Sequence, residues 1–475
     1  MRYDIPYLCR KLVADTVADI DAGIYRPGER IPSIREMSRR KRVAVNTVRL
    51  AYEILVSDLV IEARPRSGYF VLMFETPAPV RPRYLQAKVH NRSASTSGMW
   101  RAVHAETASN SNLGLISLEE SDLPSKALIR AVSRAGRVFP RQCVASGDPR
   151  GLHRLRRQLS LRYGRVDCAL EPAEILVTGG CSQGLFLALT ALTQPGQSVI
   201  VEQPFFSSAL QLWESLGLNI MEIPAHPQTG IDVDLLKEAL SNNTVAACVV
   251  VSSFSNPLGS SLTEEKRAAV AALAEAHDVP VIEDDIFGEL FFSGERPRPV
   301  KSFDRSGHII LVSSFSKWLA PGFRTGWIAP GRYRRHIEAL KTSVHDTPAV
   351  AIQIALADVM ESGDVDRHLR KLRIAYALQM REMVRCVQEH FPEGTRINVP
   401  RGGLVLWVEL PNEVDATRLA ATARAHGITL LPGPLFTLTG RFQNAVRLNF
   451  SHWNAATRSE VDQVGKLARE QTGEP

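Results

Sequence analysis

The 475-residue sequence lacks the features that would place it in a membrane or on a secretory route. It has no run of about 18 apolar residues, the length at which a helix begins to span a bilayer. Residues 1–20 carry charges between their apolar stretches, which does not fit a secretory signal. We therefore expect a cytoplasmic protein without a membrane partner.

Cysteine is scarce, and no internal repeats are present. The six cysteines form no CxxC pair and have no histidine cluster nearby: Cys9, Cys143, Cys168, Cys181, Cys248 and Cys386. Such scattered thiols predict a reduced chain without a structural zinc ion or any other metal site.

Positive charge is concentrated in one short segment. The net charge of +7 is modest for a chain of this length and indicates little by itself. Residues 35–49, however, hold one acid, Glu36, against six basic residues: Arg35, Arg39, Arg40, Lys41, Arg42 and Arg49. A local excess of this kind is typical of a face that binds nucleic acid.

Periodicity divides the chain into three segments. Residues 1–72 predict a small helical domain, and residues 113–475 predict a large one in which short apolar strands alternate with amphipathic helices. Residues 73–112 lose this periodicity, being rich first in proline and then in Ser, Thr and Asn, and so predict a linker.

The first segment has the pattern of three helices followed by a hairpin. Apolar residues at helical spacing predict a helix from Leu8 to Ile20, a second from Ile34 to about Arg40, and a third from Val45 to Ser57. The stretches 60–62 and 69–71 flank a turn and predict a two-stranded wing.

Three motif blocks in this segment resemble the GntR family of winged-helix transcription regulators: residues 27–37, 46–53 and 67–71. The resemblance implies binding to a double-stranded DNA operator, with the third helix in the major groove. The residues that it assigns to DNA binding are Ser33, Arg35, Asn46, Thr47, Arg49, Arg64 and Arg66. Asn46 and Arg49 can reach base edges, whereas the others suit phosphates, the backbone or the minor groove.

One position departs from that pattern. The GntR family commonly has Ser-Arg at the start of the third helix, where this sequence has Ala44-Val45. The identity of the base-reading residues therefore stays open.

The large segment predicts a mostly parallel α/β sheet with helices on both faces. Near-continuous apolar runs mark its strands: residues 174–178, 198–201, 247–251, 280–282 and 308–312. In such a sheet, ligands bind beyond the carboxyl ends of the strands. The residues that follow each run are therefore the candidates for a site.

Residues 313–327 follow one of these strands and resemble the lysine segment of fold-type I pyridoxal-phosphate proteins. The resemblance implies that Lys317 forms a Schiff base with the cofactor and that Ser314, Ser316 and Arg324 bind near its phosphate. The pair Ser314-x-x-Lys317 also fits the serine β-lactamase motif. That alternative is excluded because neither Ser-Asp-Asn nor Lys-Thr-Gly occurs in the sequence.

Other strand ends supply further pieces in the order of that family. Gly180, Cys181 and Ser182 open a helix whose amides suit a phosphate. The resemblance assigns ring stacking to Phe206 and a hydrogen bond to the cofactor's phenolic oxygen to Asn256.

Two more residues complete the implied site. Asp284 would keep the pyridine nitrogen protonated, which makes the ring an electron sink. Arg447 stands at the position of the arginine with which aminotransferases bind the substrate's α-carboxylate.

Two positions weaken the case for fast transamination. Phe287 stands where the family usually has a tyrosine that donates to the phenolic oxygen. Ser146 stands where aminotransferases often have a tyrosine that reaches the phosphate across a dimer. Neither replacement removes Schiff-base chemistry at Lys317, but both alter contacts on which proton transfer depends.

Together the blocks resemble the MocR/PdxR-type subfamily, in which a GntR winged helix is fused to a fold-type I aminotransferase domain with a smaller C-terminal α+β subdomain. The resemblance implies a pyridoxal-5'-phosphate-dependent homodimeric regulator that senses an amine, an amino acid or the cofactor itself. The alternative is an aminotransferase with an accessory DNA-binding domain. We expect at most weak aminotransferase activity, and the sequence leaves the effector, the operator and the sign of regulation open.

Overall fold

The structure is a computed structural model that describes residues 7–21, 24–26, 28–57, 60–64, 67–71, 80–82, 84, 89–95 and 113–473. The described N-terminal residues form three helices and a two-stranded wing: α1 (Tyr7–Asp21), α2 (Ile34–Lys41), α3 (Val45–Ser57), β1 (Ile61–Arg64) and β2 (Gly68–Val71). These elements confirm the predicted winged helix, and α3 has the predicted bounds.

Local chemistry explains where these elements begin and how they pack. Ser33 caps α2, because its Oγ accepts a hydrogen bond from the Glu36 amide at 3.3 Å. One face of α3 is buried against the other helices, with Val48 and Tyr52 in the core. The Tyr52 hydroxyl donates to the Pro32 carbonyl at 2.7 Å, which fixes α3 against the start of α2.

The large domain is built on a nine-stranded sheet. Its strands are β3 (His90–Ser93), β4 (Leu176–Thr178), β5 (Ser198–Gln203), β6 (Asn219–His226), β7 (Gly230–Ile231), β8 (Ala247–Val250), β9 (Val281–Asp284), β10 (Ile309–Ser314) and β11 (Gly326–Ala329). The order is β3-β6-β5-β8-β9-β10-β11-β4, and β7 pairs with β6. Strands β6, β5, β8, β9 and β10 are parallel to their neighbours in this series. The sheet therefore matches the predicted mostly parallel architecture.

Helices cover both faces of this sheet and continue into a C-terminal subdomain. They are α4 (Ser125–Val138), α5 (Pro140–Val144), α6 (His153–Gly164), α7 (Cys181–Leu192), α8 (Ser208–Ser215), α9 (Val233–Asn242), α10 (Glu264–Ala276), α11 (Arg334–Val344), α12 (Val350–Glu361), α13 (Asp364–His390), α14 (Ala416–Ala425) and α15 (Ala455–Thr472). No helix in the described part of the chain is long and apolar enough to cross a membrane.

The C-terminal subdomain has its own small antiparallel sheet. Its strands are β12 (Arg396–Asn398), β13 (Val405–Glu409), β14 (Leu431–Pro432) and β15 (Ala445–Asn449), in the order β12-β13-β15-β14. Apolar residues of β13 and β15 share one core cluster with α13 and α15. This is the smaller α+β subdomain that the resemblance implied.

The described parts of the predicted linker contact the large domain. Strand β3 pairs antiparallel with β6 at the edge of the sheet. Before it, the Val80 carbonyl accepts from the Ile397 amide at 2.8 Å, and the Tyr84 hydroxyl donates to Asp232. The sequence interpretation did not foresee this strand, because the stretch Asn91 to Gly98 is rich in Ser, Thr and Asn and shows no alternating pattern.

Candidate cofactor site and DNA-binding face

The parallel strands and β4 end at one edge of the large sheet, and the candidate cofactor residues follow those ends. Gly326 of β11 pairs with Ser314 on one side and with Thr178 on the other. A Cβ at Gly326 would stand 2.6 Å from the Ser313 carbonyl oxygen and 2.7 Å from the Gly180 carbonyl carbon. Only glycine fits there, and it brings the ends of β4 and β10 together.

Lys317 is partly buried and lies three residues beyond the end of β10. Its Nζ donates to the Ile116 carbonyl at 2.7 Å. Burial lowers the pKa of Lys317 to about 8, with the charges of Arg447 and Arg324 acting in the same direction and Asp284 opposing them. A lowered pKa leaves more of the amine unprotonated and nucleophilic near neutral pH.

Asp284, at the end of β9, is a buried carboxylate. Its Oδ1 accepts from the Cys181 thiol at 3.3 Å and from the Ile286 amide at 3.0 Å. Burial raises the pKa of Asp284 to about 6, although these two hydrogen bonds oppose the increase. No ion pair joins Asp284 to a basic side chain within 4.0 Å among the described residues, so a cationic ring nitrogen is the partner that its environment suits.

The start of α7 faces an arginine. Gly180 has a φ of +115°, which suits glycine, and the residue precedes the first turn of α7. A Cβ on Gly180 would lie 3.2 Å from Arg324 Nη2. The α7 amides and this guanidinium therefore lie side by side, as binding of a phosphate group requires.

Arg447, on β15, is buried against the cofactor edge. Its Nη1 donates to Asn256 Oδ1 at 3.0 Å, and its Nη2 donates to the Gly114 carbonyl. Burial lowers the pKa of Arg447 to about 9, and its Nε finds no hydrogen-bond partner among the described residues. This arginine therefore has unused capacity to bind a carboxylate.

The remaining candidates have less distinctive positions. Phe206 is half-buried and lines one small cavity with Asn256. Phe287 is buried in the main core cluster. Ser182 is exposed, and the Ser316 amide donates to Ser314 Oγ at 3.2 Å.

The sequence interpretation missed the backbone segment Leu113–Ser117, which lies over the two basic side chains. Besides Gly114 and Ile116, Leu115 is held there, because its carbonyl accepts from Asn449 Nδ2 at 2.6 Å. Carbonyl acceptors leave no signature in residue type. The usable signal was Asn449, which belongs to the same motif as Arg447.

The end of this segment is anchored by His452. Its Nδ1 lies 2.6 Å from Glu119 Oε2, and its Nε2 lies 2.8 Å from Ser117 Oγ. Ser451 Oγ also donates to the Ser117 carbonyl at 2.7 Å. These bonds fix residues 117–119 to the C-terminal subdomain.

The side chains present fit pyridoxal 5'-phosphate. A partly buried lysine with a lowered pKa, a buried carboxylate without an ion pair among the described residues, and a glycine-plus-arginine cradle match the aldehyde, the ring nitrogen and the phosphate of that molecule. In the described part of the chain, no group of three or more His, Cys, Asp or Glu residues could hold a metal ion.

The DNA-binding candidates lie on the exposed side of the winged helix. Arg35 on α2, and Asn46 and Arg49 on α3, are exposed, whereas Ser33 and Thr47 are partly buried. Arg49 Nε lies 4.0 Å from Glu53, a loose contact between two exposed side chains of α3. Val45, at the position of the missing family arginine, is also exposed.

The wing has interactions that the sequence interpretation did not include. Arg64 pairs with Glu62 at 2.6 Å, and its guanidinium stacks over the Phe70 ring at 4.3 Å. Arg30 lies across the wing, where its Nε would stand 3.0 Å from a Cβ on Gly68. Arg66 lies outside the described residues.

Comparison with protein families agrees with both halves of this description. The family model "Bacterial regulatory proteins, gntR family" matches residues 10–71. The model "Aminotransferase class I and II" matches residues 114–463.

Relatives of two kinds are similar to this chain: regulators that match nearly its whole length and enzymes that match a smaller share of it. YjiR, an uncharacterized HTH-type transcriptional regulator of Escherichia coli (strain K12), is 33% identical over 455 residues, which cover 94% of this chain and 96% of YjiR. Aromatic-amino-acid aminotransferase 1 of Thermococcus litoralis is 32% identical over 318 residues, 66% of this chain and 76% of that protein. The crystal structure of a multiple substrate aminotransferase from Thermococcus profundus superposes with a TM-score of 0.74 at 27% identity, covering 80% of this chain and 96% of that one.

The fold and the comparisons define a DNA-binding module joined to an aminotransferase-like domain. The chain belongs to the GntR family, in its MocR-type branch of HTH-type transcriptional regulators that carry a class I and II aminotransferase domain.

Proposed function

We propose that this regulator binds pyridoxal 5'-phosphate at Lys317 and that an amine or amino acid, or the cofactor itself, changes its affinity for operator DNA. Asp284 would face the ring nitrogen, Asn256 the phenolic oxygen, and Gly180 with Arg324 the phosphate. When bound, the cofactor supplies an aldehyde that condenses with amines and a ring that accepts electron density.

One observation carries the sensing proposal: the segment that follows the predicted linker occupies the donors that a ligand needs. Arg447 Nη2 donates to the Gly114 carbonyl, and Lys317 Nζ donates to the Ile116 carbonyl at 2.7 Å. Lys317 Nζ would have fewer protons to donate to the Ile116 carbonyl when it holds the cofactor, and a carboxylate at Arg447 would compete with the Gly114 carbonyl. A ligand at this site would therefore bind differently when residues 113–116 are in place and when they are displaced. Such a difference in binding between two states is what coupling requires.

The direction of the signal follows from the chain's order. Residues 117–119 are fixed to the C-terminal subdomain by His452, so the end of residues 113–116 that adjoins the linker is the one that a displacement would move. The linker leads to the winged helix. We propose a cytoplasmic homodimer that presents two such domains to two half-sites of one operator.

The alternative function, an aminotransferase with an accessory DNA-binding domain, has one observation in its favour. Lys317, Asp284 and Arg447 all remain, so the charged groups that amino-group transfer requires are present. Phe287 disfavours this alternative, because a phenyl ring leaves Asn256 as the side-chain donor to the phenolic oxygen.

A paired assay tests the proposal against the alternative. A panel of amino acids and keto acids is added to the holoprotein, and both turnover and affinity for an operator selected from genomic fragments are measured. We expect at least one compound to change operator affinity by about 5- to 150-fold, with turnover well below about 1 per second. Turnover at ordinary enzyme rates with an unchanged operator affinity would establish the alternative instead.

A further inference from the structure

We propose that a cleft between the large sheet domain and the C-terminal subdomain is a second ligand site, specific for an organic anion with an apolar body. This arginine cleft has a volume of about 900 Å³ and is lined by residues of α10, α13 and the loops after β8, β9 and β12. None of the candidate cofactor residues lines it, so the cleft is separate from the Lys317 site.

The charge of the arginine cleft is strongly positive. Among the described residues, two glutamates line it, Glu264 and Glu295, against six arginines: Arg81, Arg267, Arg298, Arg381, Arg385 and Arg401. Arg385 is paired along its own helix with Glu382 and Glu389. The remaining excess of positive charge favours an anion in this space.

Arg267 has a buried donor nitrogen without a partner among the described residues. Its side chain is 1% exposed, and no carboxylate lies within the 4.0 Å of an ion pair among the described residues. Nε and Nη2 donate to backbone carbonyls and to serine hydroxyls, whereas Nη1 is buried and has no partner in the described part of the chain. A buried unsatisfied donor on a charged group is costly, and the positive charge of Arg267 at the wall of the cleft favours an anion beside it.

Two neighbouring arginines also favour an anion in the arginine cleft. Arg298 also has a buried nitrogen, Nε, without a partner among the described residues. Its guanidinium stacks over Phe303 at 4.7 Å, which fixes its orientation. Burial lowers the pKa of Arg381 to about 10, because its charge is partly removed from water. An anion in the cleft would offset that loss of hydration.

The walls between the arginines are apolar. Phe254, Met380, Val384 and Pro400 are buried and line the cleft. Inorganic phosphate would leave these surfaces unpaired, whereas an aromatic or branched carboxylate or phosphate ester would cover them. The shared chemistry is therefore an anionic head group on an apolar body.

The arginine cleft is connected to the cofactor edge through one loop. Arg267 donates to the carbonyls of Ser252 at 2.7 Å and of Leu262 at 3.0 Å, and so it holds both ends of the loop that contains Asn256. Asn256 in turn accepts from Arg447 at 3.0 Å. An anion bound to Arg267 would therefore stabilise this loop and strengthen the arrangement of Asn256 and Arg447.

Calorimetric titration of the full-length holoprotein tests the site. The probes are 4-bromobenzoate and phenyl phosphate, which share an aromatic body and distinguish a carboxylate from a phosphate head group. Arg298→Gln and Arg381→Gln should each weaken the better probe about tenfold or more, the effect of one lost hydrogen bond to a charged group. Arg335→Gln, an exposed arginine on α11, is the matched control and should bind as the unmodified protein does. Cofactor absorbance should be unchanged in all three variants, which separates this proposal from the one on Lys317.

Arg447→Gln distinguishes the two candidate sites for an aromatic anion. The proposal predicts that probe binding survives this substitution and that crystals with 4-bromobenzoate show the bromine anomalous peak in the arginine cleft. Three results would overturn it: no binding of either probe at millimolar concentration, equal affinity in the Arg298→Gln, Arg381→Gln and Arg335→Gln variants, or binding that is lost with Arg447→Gln.

Discussion

The DNA-binding face and the cofactor site differ in how their charged groups are held. On α2 and α3, Arg35 and Arg49 are exposed and have at most a loose ion pair among the described residues. At the cofactor edge, Asp284 and Arg447 are 6% and 4% exposed, and each has specific hydrogen bonds to neighbouring residues. An exposed charge can be removed at the cost of one external contact, whereas a buried one also leaves its partners unsatisfied. Substitutions at the cofactor edge should therefore have the larger effects.

The largest expected effect comes from Lys317→Ala. Without the amine, no covalent link to the cofactor forms, and borohydride should trap no label. The unmodified protein should be yellow, should lose its absorbance on reduction, and should carry the label on Lys317 when its peptides are mapped. Lys466→Ala, at an exposed position on α15, is the control and should behave as the unmodified protein. A protein that stays colourless with added pyridoxal phosphate would refute the cofactor assignment.

Arg447→Gln should have the next largest effect. Two charge-assisted hydrogen bonds to a carboxylate are lost, each contributing about 1.5–3 kcal/mol, so the affinity for an amino acid should fall by at least about two powers of ten. Spectral titration of the holoprotein measures this, with exposed Arg418→Gln on α14 as the control. An unchanged affinity would mean that the carboxylate binds elsewhere.

The exposed face should respond more weakly. Arg49→Ala and Arg35→Ala should each lower operator affinity by about tenfold, because each removes one hydrogen bond to a charged group. Each lost phosphate contact should also flatten the plot of log K against log salt by about 0.9. Cofactor absorbance should not change, and Arg335→Ala, exposed on α11, should bind DNA normally. If both variants bind operator normally, α3 is not the recognition helix.

The lowered pKa of Lys317 predicts that its reaction with the cofactor depends on pH. Since its pKa is lowered to about 8, the unprotonated amine becomes abundant as pH rises through 8, well below the usual range of lysine. The rate at which apoprotein captures pyridoxal phosphate should rise with pH and level off above about 8. Removal of the neighbouring positive charge in Arg447→Gln should move this profile to higher pH. A rate that keeps rising to pH 10 would mean that the pKa of Lys317 is not lowered.

Phe287→Tyr should have the smallest effect, and it tests whether the protein acts as a regulator or as an enzyme. A new hydroxyl would give the cofactor's phenolic oxygen a second side-chain donor beside Asn256. The absorbance titration of the bound cofactor should shift and slow transamination should increase by about one to two powers of ten, with operator affinity unchanged. Phe292→Tyr, elsewhere in the same core cluster, controls for an added hydroxyl. Identical titrations of Phe287→Tyr and the unmodified protein would remove Phe287 from the cofactor's surroundings.

Most of the architecture was predictable because patterns of apolar and polar side chains indicate the helices and strands. Apolar spacing gave α3 its bounds, and the buried runs located β5, β8 and β10 closely. Motif order predicted which residues follow the strand ends, and the fold brings Lys317 and Asp284 to one edge of the sheet.

The remainder depends on groups that have no residue signature. The carbonyls of Gly114 and Ile116 contact Arg447 and Lys317, but any residue type supplies a carbonyl. Strand β3 forms because an existing sheet edge accepts its backbone, not because its own sequence alternates. The pairing of Arg64 with Glu62 could have been predicted from the sequence, since residues two apart in a strand share one face.

The central claim is that ligand binding beside Lys317 and DNA binding by α3 are coupled. The most direct test is the ratio of operator Kd values with and without a saturating amino acid that binds the holoprotein, measured in the unmodified protein and in Arg447→Gln at one salt concentration. The account predicts a ratio that differs from one by about 5- to 150-fold in the unmodified protein and is close to one in Arg447→Gln. A ratio of one in the unmodified protein, under conditions where the amino acid is bound, would contradict it.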